Sequence, residues 1–508
     1  MIDLASLKSG SDIRGVALGD GAELTPGIAA RYAVGFAAWR KASGHPLRTV
    51  AIGRDSRLTG KAILQGVADG LRGEGIDVFD FGLCTTPAMF MSLLTDGFQA
   101  DAALMITASH QPSDRNGIKF ILPHGGISGK ELDQVIAAAK AADIRPSLTG
   151  ALIQRDYLPA YQGILARRIR EGLGTDAEKP LAGLHIVVDA GNGAGGFYAD
   201  LLSSLGADTA GSQFLEPDGR FPNHIPNPED PVAMDAISLA VTRSGADLGV
   251  IFDTDCDRAA IVDSTGREIN RNRLIALISA VLLGRKKGGT IVTDSVTSSG
   301  LKQFIADQGG VHYRFKRGYR NVIDEAIRLN SEGVDCPLAI ETSGHAALRE
   351  NHFLDDGMYL VTVLIIEAMR LKQQGKDLAS LISTLREPLE SVEIRLDILS
   401  KDRHAVADTI FSQITACAEQ SETQHIAPDN REGIRIQFDL DGGQDNGWYL
   451  IRLSVHDPVM PLNIESDVAG GVLAMAKSLY SVLERDEAVI DLRHLRAYIS
   501  KEEAKQNV

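Results

Sequence analysis

The sequence predicts an α/β protein of several domains, in which the last domain differs from the others. A chain of 508 residues is too long for a single hydrophobic core, so about three or four domains are expected. Three short apolar runs begin at Val50, Ile186 and Ile291, roughly a domain length apart, and a helix-like stretch follows each one. Short β-branched runs are typical of buried strands, so their recurrence predicts three similar strand–loop–helix modules. The helix-like stretches are residues 60–71, 195–205 and 300–307.

The last part of the chain has a different pattern. Residues 393–396, 433–438 and 448–453 alternate apolar and polar side chains, which is typical of half-exposed, antiparallel strands. Residues 468–483 have the spacing of an amphipathic helix. These features predict an α+β domain at the end of the chain. The predicted domains are residues 1–153, 154–263, 264–391 and 392–508, and the charged segment from Lys501 is typical of a disordered tail.

Composition narrows the class of protein. An apolar content of 44% and a charged content of 23% are typical of a soluble globular protein. The net charge of -15 argues against nucleic acid or an anionic membrane as the main partner, although local basic residues could still bind an anionic small molecule. The sequence contains no long apolar run, no signal-peptide pattern and no Cys-x-x-Cys pair. A reduced, cytoplasmic location is therefore expected.

A serine in a short polar loop is the first candidate for chemistry. Ser109 follows an apolar run, has His110 beside it, and is followed closely by Lys119. A loop serine is usually only a turn residue, but small neighbours here leave room for a bulky group. A phosphorylated Ser109 would carry about -1.5 to -2 charges at neutral pH and would need a counter-cation. Lys119 could offset that charge or transfer a proton.

Three alternating carboxylates are the second candidate. Asp253, Asp255 and Asp257 directly follow another apolar run, and in an extended segment they would point to one face. Carboxylates this close repel one another unless a cation lies among them, which predicts a site for a hard dication. An EF-hand is excluded, because Arg258 and Ser264 occupy the positions where that motif needs Gly and Glu.

The aspartates also allow two other interpretations. A solvated acidic turn is one, although the preceding run is strongly apolar. The other is an enzyme that forms an aspartyl phosphate, since such enzymes also place Asp-x-Asp after a strand. Arg258 would suit phosphate binding both in an enzyme that phosphorylates Ser109 and in one that forms an aspartyl phosphate.

Polar residues further along the chain could bind a sugar phosphate. Glu341, Ser343 and His345 offer donors and acceptors for neighbouring hydroxyls, and Gly344 allows close approach of the backbone. A basic group that includes Arg320 precedes them; such a group is usually a solvated surface, but it could hold an anionic sugar.

A fourth segment could bind phosphate. Arg452, Ser454 and His456 occupy alternate positions and could contact a phosphate monoester from one side. On this motif alone, an exposed strand face is the simpler interpretation.

Taken together and in this order, these segments resemble the α-D-phosphohexomutase superfamily. The resemblance covers nearly the whole chain and is closest in the serine and aspartate segments. The matching segments are 11–15 (SDIRG), 53–57 (GRDSR), 86–87 (TP), 107–112 (TASHQP), 189–193 (DAGNG), 221–224 (FPNH), 226–228 (PNP), 253–258 (DTDCDR) and 341–345 (ETSGH). The resemblance implies four domains around a central cleft: three related α/β domains with mixed sheets and a smaller α+β domain.

The resemblance also implies an activity and a set of site residues. It implies an isomerase that interconverts hexose 1-phosphate and hexose 6-phosphate, of glucose or mannose, through a phosphoserine and a hexose 1,6-bisphosphate. The implied residues are Ser109, Asp253, Asp255 and Asp257 around one Mg²⁺; Ser109, Arg14, Lys119, Arg258 and His345 in catalysis; and Glu341, Ser343, Arg320, Arg452, Ser454 and His456 in substrate binding.

The chain departs from the family pattern in its last domain. Val455, His456 and Asp457 replace the Gly-Thr-Glu of many relatives, so a histidine stands where a threonine hydroxyl is common. Phosphoglucosamine mutase, a phosphatase and a non-catalytic phosphosugar-binding protein stay open as alternatives. A monomer or a homodimer is expected.

Overall fold

The computed structural model describes residues 2–145, 147–454 and 457–506 of the chain. They belong to two compact units: unit 1 comprises Met1–Val281 and Pro337–Ser383, and unit 2 comprises Leu282–Cys336 and Thr384–Val508. The helices are α1 (Pro26–Ala42), α2 (Gly60–Gly73), α3 (Thr86–Ser92), α4 (Gly129–Lys140), α5 (Leu158–Leu173), α6 (Phe197–Ser204), α7 (Pro231–Ser244), α8 (Arg271–Arg285), α9 (Ser299–Asp307), α10 (Tyr319–Ser331), α11 (Gly357–Lys372), α12 (Arg403–Glu419), α13 (Gly471–Leu483) and α14 (Arg493–Gln506). The strands are β1 (Lys8–Ser9), β2 (Asp12–Val16), β3 (Thr49–Arg54), β4 (Asp77–Leu83), β5 (Ala102–Ile106), β6 (Arg115–Leu122), β7 (Gly125–Gly126), β8 (Leu152–Gln154), β9 (Ile186–Asp189), β10 (Leu248–Phe252), β11 (Ala259–Asp263), β12 (Glu268–Ile269), β13 (Thr290–Thr293), β14 (Val311–Arg314), β15 (Leu338–Ile340), β16 (Ala346–Leu348), β17 (Glu390–Asp397), β18 (Gln424–Ile426), β19 (Ile434–Phe438), β20 (Gly447–Ile451) and β21 (Val459–Ser466).

The first sheet of unit 1 is mixed. Its strand order is β1-β2-β6-β5-β3-β4-β8, with β7 paired to β6. Strands β5, β3, β4 and β8 are parallel, whereas β6 pairs antiparallel with β2, β5 and β7. Apolar side chains of α1, α2 and α4 form one buried core with this sheet. Because β3 and β5 are parallel neighbours, the loops that follow Arg54 and Ile106 meet at one edge of the sheet.

The second sheet of unit 1 has the order β12-β11-β10-β9. Strands β9 and β10 are parallel, and β10, β11 and β12 pair antiparallel. All residues of β10 are buried, and α7 packs against this sheet through Met234, Ile237 and Val241. Unit 1 also contains the antiparallel pair β15–β16 and the buried helix α11, which begins where Asp356 accepts a hydrogen bond from the Tyr359 N–H.

Unit 2 contains a parallel pair and an antiparallel sheet. Strands β13 and β14 are parallel. The antiparallel sheet has the order β17-β21-β20-β19-β18, and apolar residues of α12, α13 and α14 cover one face of it. This arrangement is the α+β domain predicted for the end of the chain.

Most of the predicted elements are confirmed. The three predicted modules correspond to β3–α2, β9–α6 and β13–α9, and the alternating segments correspond to antiparallel strands β17, β19 and β20. The prediction of a disordered tail from Lys501 was wrong as far as Gln506, because these residues continue helix α14. Among the described residues, no helix combines the length and the apolar character needed to span a membrane. The four predicted domain bounds stay a prediction.

Candidate active site

The serine loop, residues 107–112, follows strand β5 and bends sharply at Ser109. Ser109 has a φ of +51°, in the left-handed region that residues other than glycine seldom adopt. The Thr107 hydroxyl accepts a hydrogen bond from the Ser109 N–H at 2.9 Å. The buried Ser109 hydroxyl donates a hydrogen bond of 2.8 Å to Asp253 Oδ2. The bend therefore directs the predicted nucleophile at the first of the three alternating aspartates.

The aspartate loop, residues 253–258, gathers its carboxylates through a turn. Strand β10 ends at Phe252, Cys256 has a φ of +65°, and the Cys256 N–H donates to Asp253 O at 3.2 Å. The expectation of an extended segment with one common face was therefore wrong. The carboxylates of Asp253, Asp255 and Asp257 nevertheless converge, since one oxygen of each lies within 4.8 Å of the others.

The first turn of helix α11 packs against the backbone of the aspartate loop. A side-chain carbon added at Gly357 would lie 2.7 Å from the carbonyl carbon of Arg258 and 3.0 Å from Cys256 O. Only glycine permits this approach, which places the first turn of α11 directly against the loop backbone.

The chemistry of the three carboxylates fits a hard dication. All three are fully buried, and Asp255 Oδ1 and Asp257 Oδ1 have no hydrogen-bond partner among the described residues. The second oxygens are held from outside: Thr86 Oγ1 donates to Asp255 Oδ2 at 2.5 Å, and Lys119 Nζ to Asp257 Oδ2 at 2.5 Å. Buried carboxylate oxygens without a donor are costly unless a cation binds them, and oxygen ligands are those that Mg²⁺ prefers.

Arg258 connects the serine loop with the aspartate loop. Its guanidinium donates to Asp253 Oδ2 at 3.1 Å, to Ser109 Oγ at 3.3 Å and to Asn227 Oδ1 at 3.1 Å. Burial disfavours its charge, but the carboxylates of Asp253 and Asp257 outweigh burial and raise the pKa of Arg258. A fixed positive charge therefore lies beside the Ser109 hydroxyl.

The carboxylates of the aspartate loop differ in charge. Burial, reinforced by the charge of Asp257, raises the pKa of Asp253 to about 8. Burial acts in the same direction on Asp257, but the adjacent Lys119 ammonium holds the pKa of Asp257 below its usual range. Lys119, together with His345 and Arg258, therefore favours the negative charge on Asp257.

Two histidines of the site have pKa values that are shifted in opposite directions. His345 Nδ1 lies 2.6 Å from Asp355 Oδ2 and 3.9 Å from Asp257 Oδ1. Burial opposes its charge, but these two carboxylates raise the pKa of His345 to about 9. His110 Nδ1 is 3.1 Å from Ser109 Oγ, and burial together with Arg258 lowers the pKa of His110 to about 2. His345 is therefore the cationic one.

The other predicted residues of unit 1 lie close to this group. The Glu341 N–H donates to His345 O at 2.9 Å, and the Ser343 hydroxyl donates to Glu341 Oε2 at 3.3 Å, so these three residues form one loop. Arg14 forms an ion pair of 3.0 Å with Asp12. Burial disfavours the Arg14 charge, yet Asp12 and, less strongly, Asp255 and Asp257 raise the pKa of Arg14.

Three predicted phosphate or sugar ligands belong to unit 2. Arg452 is buried and follows strand β20, and its Nε has no hydrogen-bond partner among the described residues. The Ser454 hydroxyl, two residues further on, accepts a hydrogen bond from the Asp457 N–H at 3.3 Å. Arg320 lies on α10 in an ion pair of 2.9 Å with Asp324. His456 lies outside the described residues.

Four residues at the site had no predicted role. Arg57 and Thr86 contact the serine and aspartate loops, Asn227 binds Arg258, and Asp355 binds His345. Arg57, Thr86 and Asn227 lie in segments that matched the family pattern, so the match itself could have indicated a role for them. Nothing in the local sequence distinguishes Asp355.

Family models match three parts of the chain. The models described as phosphoglucomutase/phosphomannomutase, alpha/beta/alpha domains I, II and III, match residues 6–145, 167–266 and 270–388. A phosphohexose mutase of Xanthomonas campestris is 32% identical over 425 residues, which cover 82% of this chain and 87% of that protein. The chain belongs to the phosphoglucomutase/phosphomannomutase family. The predicted superfamily, the class of enzyme and the four-domain fold class are thereby confirmed.

Other relatives agree. A phosphomannomutase/phosphoglucomutase of Pseudomonas putida is 29% identical over 428 residues, covering 84% of this chain and 85% of that protein. The crystal structure of a phosphoglucomutase/phosphomannomutase family protein from Burkholderia thailandensis superposes with a TM-score of 0.78 at 26% identity, and covers 96% of this chain and 98% of that one. The chain is therefore a phosphohexomutase, an isomerase, whereas the roles of individual residues stay predictions.

Proposed function

We propose that this phosphohexomutase interconverts the 1-phosphate and 6-phosphate of glucose, mannose or both, with Ser109 as the phosphoryl carrier. The main support is the position of the Ser109 hydroxyl, 2.8 Å from a carboxylate of the aspartate loop and 3.3 Å from the Arg258 guanidinium. The names of the Pseudomonas and Xanthomonas relatives support the class of substrate.

One Mg²⁺ is the proposed cofactor. Asp253, Asp255 and Asp257 would hold it together with an oxygen of phosphorylated Ser109. When bound, the ion neutralises charge on the phosphoryl oxygens. One oxygen each of Asp255 and Asp257 has no hydrogen-bond partner in the described part of the chain, which supports this assignment.

The reaction has two phosphoryl transfers. In the first, the bond between phosphorus and Ser109 Oγ breaks while a bond forms between phosphorus and a free hydroxyl oxygen of the hexose phosphate. The departing Ser109 oxygen takes a proton from a cationic side chain, for which His345 and Lys119 are the candidates, and the proton of the attacking hydroxyl replaces it there. The resulting hexose 1,6-bisphosphate reverses its orientation and returns its other phosphate to Ser109. The same bisphosphate, added from solution, would restore phosphoserine and act as activator.

Electrostatic stabilisation and alignment supply most of the rate in such transfers. Arg258 is fixed beside Ser109 Oγ, and Lys119 and Arg14 add positive charge near the aspartate loop. Glu341 and Ser343 would bind sugar hydroxyls. Arg452, Ser454 and His456 would hold the phosphate that does not react, and Arg320 would contact the anionic sugar. The buried Arg452 Nε, which has no hydrogen-bond partner among the described residues, supports the phosphate role most directly.

The proposal is tested by mass spectrometry and a coupled assay. Intact mass and peptide mapping of the purified protein should locate a phosphate on Ser109. Turnover of glucose, mannose and glucosamine 1-phosphates should then be compared, with release of inorganic phosphate measured in parallel. Ser109→Ala should lose at least about 10⁴-fold in turnover, the scale of removing a covalent nucleophile, and should keep the wild-type circular dichroism spectrum.

Each alternative has its own outcome. Preference for glucosamine 1-phosphate would indicate a phosphoglucosamine mutase, and release of phosphate without isomerised sugar would indicate a phosphatase. Calorimetric binding without turnover would indicate a phosphosugar-binding protein. Full activity of Ser109→Ala would refute the scheme. The cytoplasmic location and the choice between monomer and homodimer stay predictions.

A further inference from the structure

A buried arginine supports the serine loop from behind. Arg57 lies just after strand β3, with 1% of its surface exposed. Its two terminal nitrogens donate hydrogen bonds to four backbone carbonyls around the loop. The acceptors are Ser109 O at 2.6 Å, Gln111 O at 2.6 Å, Pro112 O at 2.7 Å and Arg115 O at 2.8 Å.

These bonds fix the segment in which the backbone is strained. Ser109 has a φ of +51°, a strained conformation that a non-glycine residue keeps only where the surrounding structure holds it. The carbonyl of Ser109 is itself one of the acceptors. The contacts of Arg57 therefore act on the same peptide unit whose bend directs Ser109 Oγ to Asp253.

Arg57 is in turn fixed by its own neighbours. Asp55 Oδ2 lies 3.3 Å from Arg57 Nε, and Asp55 Oδ1 accepts from the Arg57 N–H at 2.9 Å. The Asp55 N–H donates to Ile106 O, at the end of the strand that leads into the serine loop. On the other side, the Phe221 ring stacks 5.3 Å from the guanidinium carbon. The guanidinium is thus held from both sides.

We propose that Arg57 is a positioning residue of the phosphoryl transfer, which keeps the Ser109 hydroxyl aimed at the aspartate loop by holding three carbonyls of the serine loop and the Arg115 carbonyl just beyond it. This inference rests on the proposed role of Ser109. Arg57 acts through the loop backbone and not on phosphate, because its terminal nitrogens already donate to carbonyls. Only a planar fork with several donors can span four acceptors; a lysine ammonium can donate three bonds from a single point.

The test compares Arg57→Lys with Arg72→Lys. Arg72 lies in the same first domain and donates from Nε to the Gly150 carbonyl at 2.9 Å, so it is a matched arginine–carbonyl contact outside the site. Turnover is normalised to the folded fraction, taken from a urea titration. Arg57→Lys should lose roughly 10²-fold in kcat, the effect expected when reacting groups shift by about 1 Å. Its KM should stay within about threefold, since substrate contacts are intact. Arg72→Lys should keep the wild-type kcat.

Chemical rescue separates positioning from simple destabilisation. In Arg57→Ala, guanidinium ions at sub-denaturing concentration should restore part of kcat, whereas sodium chloride of the same ionic strength should not. A loss of stability alone would respond in the opposite direction, because guanidinium unfolds proteins. Absence of rescue, or a kcat loss equal to that of Arg72→Lys, would overturn the proposal.

A milder variant covers the case in which the Arg57 variants do not fold. Phe221→Leu removes the ring stacked on the guanidinium, which is then fixed from the Asp55 side alone and holds the four carbonyls less rigidly. Its kcat should fall about threefold, the size of a modest cation–π contact, with KM unchanged. Wild-type kcat in this variant would contradict the proposal. If wild-type protein carried no phosphate on Ser109 and Ser109→Ala were active, the proposed function would fail; phosphorylated Ser109 with an active Arg57→Lys would refute only the role of Arg57.

Discussion

Buried charges are arranged differently in two regions of this protein, the aspartate loop of unit 1 and the surroundings of Arg314 and Arg435 in unit 2. In unit 1, the carboxylates of the aspartate loop are buried with oxygens that no described residue satisfies. In unit 2, Arg314 donates to Asp429 at 2.6 Å, to Ser298 O at 2.8 Å and to Thr297 Oγ1 at 3.1 Å. Arg435 is likewise buried, bonded to carbonyls and stacked 3.5 Å from the Trp448 ring.

The difference separates a reactive site from a structural one. A satisfied buried ion pair leaves no group for a ligand, and its removal is paid in stability. Buried oxygens without a partner need an explanation, and for a cluster of carboxylates a bound cation supplies one. Variants of the first region should therefore change turnover, and variants of the second should change the free energy of unfolding.

The largest expected effect on turnover is that of Asp255→Asn. Replacing one carboxylate of the cation site should lower turnover by about 10³-fold, the scale of losing one electrostatic stabiliser, and should raise the Mg²⁺ concentration needed for half-maximal rate. Initial rates at varied MgCl₂ measure both quantities. Asp263→Asn is the control, because Asp263 Oδ1 accepts from the Thr265 N–H and hydroxyl and is thus satisfied within its own turn. Equal effects of Asp255→Asn and Asp263→Asn would contradict the assignment of Asp255 to the cation site.

Arg314→Met in unit 2 should lower the free energy of unfolding and leave turnover unchanged. It leaves Asp429 without its closest cation, and breaking a buried pair costs about 3 kcal/mol of unfolding free energy. Turnover per folded molecule should stay at the wild-type level. Urea unfolding and an assay on the same sample test the two statements together. A stable but inactive variant would show that unit 2 contributes more than structure at this position.

The sequence predicted the gross fold and the reactive groups, because both depend on local patterns. Apolar runs located β3 and β10, and the alternation of acids located the aspartate loop. The alternation of acids did not predict the geometry of that loop, in which Cys256 adopts a left-handed conformation and the backbone lies against Gly357 of α11, far along the chain. Nor did the sequence indicate a role for Arg57, whose acceptors are carbonyls more than 50 residues away.

A pH-dependent stability is expected from Asp356. Its oxygens accept from Tyr161, Asn351 and the Tyr359 N–H, yet burial raises the pKa of Asp356 to about 6 from an ordinary value of 3.8. The folded state then binds more protons than the unfolded state between these two pH values. Stability should therefore fall as pH rises from about 4 to 6, by about 2–3 kcal/mol for this group, and show no further change from it above that range.

Asp356→Asn tests this assignment. The amide cannot ionise and keeps an oxygen for the Tyr359 N–H, so the variant should lose this part of the pH dependence between pH 4 and 6. Urea titrations at several pH values, with wild-type protein measured alongside, give the difference directly. An unchanged slope would assign the pH dependence to other carboxylates.

The smallest expected effect is that of Thr86→Val, which should change both the free energy of unfolding and the Mg²⁺ requirement. The Thr86 hydroxyl donates at 2.5 Å to Asp255 Oδ2, and its N–H donates at 2.9 Å to Asp255 O. The substitution keeps the backbone bond and the shape of the side chain but removes the hydroxyl. Unfolding free energy should fall by about 1 kcal/mol, and the Mg²⁺ requirement should rise about tenfold, as for other groups that orient a metal ligand. The paired control is Thr95→Val, because the Thr95 hydroxyl bonds Met91 O and Tyr157 away from the aspartates. If both variants lost the same free energy of unfolding and only Thr86→Val raised the Mg²⁺ requirement, the hydroxyl would act by orienting Asp255. An equal rise of the Mg²⁺ requirement in Thr95→Val would contradict that role.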